Sequence, residues 1–174
     1  MHLQIVHHFH HARRDDVERL YLLDDEFNRA TFADIGYERH VVESRREGDR
    51  LIRVLRVVAR GAVPAPFSAF VPSGFSFEEH TDYDLARHVG TWRTVPSVLS
   101  NQFHSSGTFR IEQGENEVTF ELTGETVASI PLVGGRAERY AVSTAESQHA
   151  RIAQAVRAAL AGAPQPGTPA RAPA

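Results

Sequence analysis

Cysteine is missing from this chain, which excludes disulfide bonds, thiolate metal sites and cysteine nucleophiles. Lysine is missing as well: all 19 basic residues are arginines. With the abundance of alanine, that bias points to a GC-rich coding sequence rather than to a mechanism. No apolar run approaches the ~20 residues needed to cross a bilayer. The start, Met1-His2-Leu3-Gln4, develops no apolar stretch of signal-peptide length, so a cytoplasmic protein is expected. The arginines are interspersed among 22 acidic residues for a net charge of −3, which does not indicate electrostatic capture of nucleic acid. Nucleophile elbows, phosphate-cradling glycine loops and dinucleotide fingerprints are also absent, and Gly134-Gly135 is too short for the last of these.

What is present reads as one soluble domain. Hydrophobic residues make up 41% and charged residues 24% of 174 residues. A chain this long buries roughly 70% of its unfolded surface, enough for a single substantial core.

The pattern along the chain alternates between periods of two and of about 3.6. Leu3, Ile5, His7 and Phe9 alternate with Gln4, Val6, His8 and His10, which predicts a first strand. Residues 13–23 carry Val17, Leu20 and Tyr21 at helical spacing, and a second short helix is expected over 24–33 with Phe27 and Ala30 or Thr31 inward. Asp15-Asp16 and Asp24-Asp25-Glu26 fall at the helix starts, where capping and the helix dipole account for them. Strands are then expected at 37–46 and 50–60, joined at Glu47-Gly48-Asp49, followed by a connector from Gly61 to Gly74. Four more strands are expected at 75–83, 88–95, 103–112 and 117–130. The last ends at Ile130-Pro131-Leu132-Val133-Gly134-Gly135, a strand terminus and pivot. A long helix follows from Arg136 to Ala161, with Val142, Ala145, His149, Ile152, Val156 and Ala159 on one stripe. Domain boundaries are set at 1–162, with 163–174 a Pro/Ala-rich tail that cannot bury apolar surface and is expected to be disordered.

The order strand, two helices, six strands, long helix resembles the START-like (SRPBCC) helix-grip superfamily. The resemblance is closest to an uncharacterised bacterial branch known as a domain of unknown function, spans about residues 3 to 160, and rests on Gly90-Thr91-Trp92-Arg93 mid-sheet and on the motif Ile130-Pro131-Leu132-Val133-Gly134-Gly135-Arg136-Ala137-Glu138. It implies an α+β helix-grip fold: a seven-stranded curved antiparallel sheet, two short helices after strand 1, and a long C-terminal helix across the sheet. Superfamily members bind lipids, hormones and polyketides, and some are cyclases or hydratases, so the fold alone does not choose between binding and catalysis.

A curved sheet and one helix cannot close-pack everywhere, and pockets of about 300 to 1,000 Å³ lined mostly by apolar groups bind apolar or amphipathic molecules. The expected lining is Trp92, Phe109, Phe120, Tyr140, His149 and Ile152, each of which could instead simply fill core. Trp92 stands out because a buried indole N–H needs a partner and could anchor a ligand. His149 interrupts an apolar stripe; it is either a neutral core histidine bonded to a neighbour or a group that contacts ligand or moves a proton. The run His7-His8-Phe9-His10-His11 places His8 and His10 on one face and His7 and His11 on the other; two imidazoles do not close a metal site, and no metal or other cofactor is expected. Glu78, His80 and Asp82 would share a strand face, which reads as a solvated face ahead of an acid/base site.

The favoured function is binding, as carrier or sensor, of a hydrophobic or amphipathic small molecule between sheet and C-terminal helix. The alternatives are a cyclase- or hydratase-like enzyme using pocket groups such as His149 or Tyr140, and a protein-interaction module. Nothing in the pattern specifies an oligomeric state.

Overall fold

The computed structural model describes residues 1–61 and 74–162, so the C-terminal tail and most of the Gly61–Gly74 connector lie outside the described residues. Strand β1 (His2–His10) leads into α1 (Arg14–Glu18), a π-helical turn (Arg19–Leu23) and α2 (Asp25–Asp34). Six strands follow: β2 (Tyr37–Glu47), β3 (Arg50–Ala59), β4 (Ser76–Asp84), β5 (Val89–Pro96), β6 (Phe103–Gln113) and β7 (Glu117–Ala128). The chain then enters α3 (Gly134–Gly162). The strands form one antiparallel sheet in the order β1-β7-β6-β5-β4-β3-β2, so β1 closes onto the last strand and every other neighbour is a sequential hairpin. This is the curved α+β helix-grip arrangement that the element order implies.

All three helices lie on the same face. Leu3, Ile5 and Phe9 of β1, Phe109 and Ile111 of β6 and Val118, Phe120 and Leu122 of β7 project inward by simple alternation. They meet the Val142, Ile152 and Val156 stripe of α3. Alternation also carries Arg53 to the inner face, where it is 3% exposed and bonds the Leu22 carbonyl and the Asp25 carboxylate. No helix among the described residues is long and apolar enough to span a membrane.

Two local departures from the sequence expectation matter. The single helix expected over 13–23 is α1 plus a π turn, closed by the Asp24 N–H donating to the Arg19 carbonyl at 2.8 Å. That wider turn carries Tyr21 onto the Phe120 ring, with centroids 4.5 Å apart and planes 8° from parallel. The inward face of α2 is Asn28, Thr31 and Phe32, whereas Ala30 is exposed and Phe27 only half-buried. The phase is set by Asp24, whose side chain accepts from the Phe27 N–H at 2.9 Å, and by the Asn28 amide, which donates to the Leu20 and Asp24 carbonyls.

Glycine is required at two places. Gly107 and Gly124 face each other across β6 and β7, and Trp92 lies opposite Gly107 on β5. A Cβ on Gly107 would sit 1.9 Å from the Thr123 oxygen, and one on Gly124 would sit 2.6 Å from the Trp92 ring. The glycine pair therefore lets the strands approach and clears the floor on which the indole lies. At the pivot, a Cβ on Gly134 would meet the Ala128 carbonyl oxygen at 2.2 Å. Glu138, one turn on, accepts the Ala128 N–H at 3.0 Å and thereby ties the first turns of α3 to the end of β7.

Candidate ligand cavity

Between the inner face of the sheet and α3 lies a cavity of about 580 Å³. Its walls are largely apolar and aromatic, and its size falls within the usual range for small-molecule sites. Trp92, Phe109 and Phe120 reach it from the sheet, and Tyr140, His149 and Ile152 from α3, so all six residues singled out in the sequence stand on its wall. They are not equivalent. Phe109, Phe120 and Ile152 are buried against the core, whereas Tyr140 is 42% exposed at the rim. The Trp92 indole donates to the Thr123 carbonyl at 3.3 Å, so its N–H is already engaged within the sheet.

His149 lies near-parallel to Phe120, with centroids 5.9 Å apart. Burial, reinforced by His7 and Arg39, pushes its pKa down to about 4, which holds the imidazole neutral at physiological pH. Its Nδ1 is buried and has no hydrogen-bond partner among the described residues. Tyr21 has the same property: its hydroxyl is buried and unpartnered, and burial pushes its pKa up.

A polar cluster of Arg39, Asn28 and Glu79 also lines the cavity. Arg39 of β2 donates through Nη1 to Asn28 Oδ1 at 2.7 Å and through Nη2 to Glu79 Oε2 at 3.0 Å. Its guanidinium lies 4.4 Å over the Phe32 ring. The Nε–H is buried and unpartnered among the described residues. Burial lowers the Arg39 pKa while the Glu79 carboxylate opposes that shift, so the two form a self-compensating pair on the cavity wall.

Sequence reasoning did not single out Tyr21, Asn28, Arg39 or Glu79. For Glu79 a signal existed: alternation along β4 places Phe77, Glu79, Thr81 and Tyr83 on one face, the face that carries the aromatic residues. Glu78, His80 and Asp82 occupy the other face and pair with Arg56, Arg93 and Arg50 in solvent. In the N-terminal histidine run, His8 and His10 both pair with Glu117 on the outer face, at 3.1 and 3.2 Å. His11 leaves the strand with φ 58°, and no group of three or more His, Asp or Glu side chains able to hold a metal occurs among the described residues.

Comparison with known proteins fits this geometry. Residues 7–160 match the model of a family described as proteins of unknown function, DUF2505. The chain belongs to the DUF2505 family. Among curated proteins none matches its sequence. Solved structures share the fold of this DUF2505 chain at low identity. The protein TTHA0849 from Thermus thermophilus superposes with a TM-score of 0.63 at 20% identity, covering 91% of this chain and 99% of that one. The Zhui aromatase/cyclase from a Streptomyces species gives 0.60 at 16% identity, with 92% and 93% covered. Truncated norcoclaurine synthase from Thalictrum flavum gives 0.60 at 14%, with 94% and 96% covered. At these identities the likeness shows the helix-grip fold, and the fold hosts both binding proteins and enzymes.

Proposed function

We propose that this protein binds a hydrophobic or amphipathic small molecule in the cavity between sheet and α3, acting as a carrier or sensor. The observation that carries this reading is the cavity itself: about 580 Å³ bounded by the α3 stripe and the inner face of the sheet. Filling such a space with side chains would be straightforward by substitution, and an interior of this volume forgoes the dispersion contacts that a packed core would gain. Trp92, Phe109, Phe120, Tyr140, His149 and Ile152 are the proposed contacts.

A catalytic role for the same groups is less well supported. General acid–base catalysis works best with pKa values near the operating pH. His149, the imidazole a catalytic role would use, is displaced to about 4 and so is not poised to exchange a proton at neutrality. Native mass spectrometry of freshly purified protein tests the reading. Retained lipid-like mass, or uptake of the neutral probe N-phenyl-1-naphthylamine at one per chain, is expected. A strictly ligand-free protein that takes up no apolar probe refutes it.

A further inference from the structure

Among the described residues one large apolar side chain stands wholly in solvent: Leu132, in the pivot between β7 and α3, is 102% exposed. Its backbone also lies in the left-handed region, at φ 68°. For a leucine that conformation is strained, and the fold gains nothing from an apolar group held in water. Hydrogen bonds fix the turn from both sides. The Gly134 N–H donates to the Ile130 carbonyl at 2.8 Å and the Ala137 N–H to the Val133 carbonyl at 2.9 Å, so the turn runs directly into the helix. Leu132 is thus a fixed apolar tip, and any burial it finds must come from outside the chain.

Charge around the tip narrows the partner. Arg136 and Arg139 are exposed on the first turns of α3, and neither forms an ion pair among the described residues. On the sheet, by contrast, Arg50, Arg56 and Arg110 all meet carboxylates. The Arg139 guanidinium leans back towards the pivot: a Cβ on Gly135 would stand 3.9 Å from its Nη1. Glu138, between the two arginines, is drawn to the sheet, where it accepts the Ala128 N–H. At helical spacing Arg136, Arg139 and Tyr140 share one flank, and Tyr140 is 42% exposed at the cavity rim. A stable protein interface needs roughly 800 Å² per partner with an apolar centre, whereas here one leucine is set among arginines and glycines. An apolar tip below a pair of cations, with a tyrosine beside them, matches the boundary of a bilayer that carries anionic lipid. We propose that this pivot docks on an anionic bilayer surface, with Leu132 entering the acyl region and Arg136 and Arg139 meeting headgroup phosphates. Ile130, Ala137 and Tyr140 line the cavity, so docking lays the cavity rim against a source of apolar molecules. That consequence rests on the reading of the cavity as a ligand site; the docking itself is separable from it.

Co-sedimentation of the full chain with vesicles of phosphatidylcholine alone, and of phosphatidylcholine mixed equally with phosphatidylglycerol, tests the docking. Binding is expected on the anionic vesicles and should weaken as salt is raised. Leu132→Asn, a residue type that tolerates the left-handed backbone, should weaken it about 10-fold with melting temperature held or raised. Arg136→Gln combined with Arg139→Gln should weaken it about 30-fold and remove the preference for anionic lipid. Both variants should take up N-phenyl-1-naphthylamine in solution as the wild type does. No binding of the wild type to either vesicle, or binding that both variants retain in full, overturns the docking and leaves the cavity reading standing. Self-association that Leu132→Asn abolishes, with no vesicle binding, likewise overturns it and assigns the tip to a second copy of this chain. Vesicle binding by a protein that takes up no probe upholds the docking and refutes the cavity reading.

Discussion

The two faces of the sheet are built from the same strands yet obey opposite accounting. On the outer face, Glu78, His80 and Asp82 of β4 find Arg56, Arg93 and Arg50 on their neighbours, and Arg110 bonds Glu121 at 2.7 Å across β6 and β7. Those pairs are open to water and each contributes little. On the inner face, one residue away in sequence, Glu79 meets Arg39 under α2, and polar atoms of Tyr21, Arg39 and His149 lie buried without partners among the described residues. Outside, polarity is plentiful and cheap. Inside it is sparse and costly, divided between the Arg39–Glu79–Asn28 cluster on the cavity wall and the buried Glu18–Tyr83–His88 and Arg53–Asp25 clusters away from it.

Acid titration should give the largest separation between the faces. The His149 pKa is lowered to about 4 in the folded protein against an ordinary value of 6.5. Its contribution is therefore fully present above pH 6.5 and is lost as pH falls to about 4, because the unfolded chain binds the proton first. Over that window the folded state should lose roughly 3 kcal/mol, with His7, also lowered chiefly by burial, adding in the same direction. Chemical denaturation at a series of pH values measures the slope, and His149→Leu should flatten it. The Asp82 pKa is lowered by Arg50, so that outer pair loses stability only at still lower pH, as the carboxylate protonates. A His149→Leu protein that is more stable yet takes up ligand unchanged would assign His149 to packing alone.

Removing single charges should reproduce the asymmetry at smaller scale. Glu79→Gln leaves Arg39 uncompensated on the inner wall and should cost about 2 kcal/mol, the buried-pair penalty reduced for a carboxylate that retains some solvent contact. Asp82→Asn, which breaks the exposed pair with Arg50, should cost under about 1 kcal/mol. Urea unfolding of both variants compares them directly, and equal costs would erase the distinction between the faces. Smallest of all, Tyr21→Phe removes a hydroxyl that has no partner among the described residues while keeping the stack on Phe120, so thermal stability should hold or rise by up to about 1 kcal/mol. A clear loss of stability would mean that the Tyr21 hydroxyl has a partner in the folded protein.

The fold was legible because periodicity and punctuation agreed. Alternation marked the strands, Pro131 and Gly134 marked the pivot, and the α3 stripe from Val142 to Val156 marked which side of the helix meets the sheet. The apolar half of the cavity wall followed from the same periodicity. Its polar half did not, for a physical reason. Glu79 sits in an acidic run whose other members face solvent, and only pairing with Arg39, forty residues earlier, gives it meaning. Tyr21 was expected inward with Val17 and Leu20, but its seat on Phe120 comes from a π turn that local spacing does not announce, and Asn28 reached the cavity through a cap on α2 that set the helix phase. The Trp92 indole looked like a free anchor because the Gly107–Gly124 pair, which seats it against the Thr123 carbonyl, exists only once β6 and β7 are aligned.

The most direct test places a large side chain in the space between sheet and helix. Ala141 lines the cavity from α3 and is only partly buried, so Ala141→Trp fills the void without displacing the main core. Fluorescence titration with N-phenyl-1-naphthylamine should show saturable uptake by the wild type and its loss in Ala141→Trp, with melting temperature held or raised. No uptake by the wild type, or undiminished uptake by the filled variant, would contradict the account.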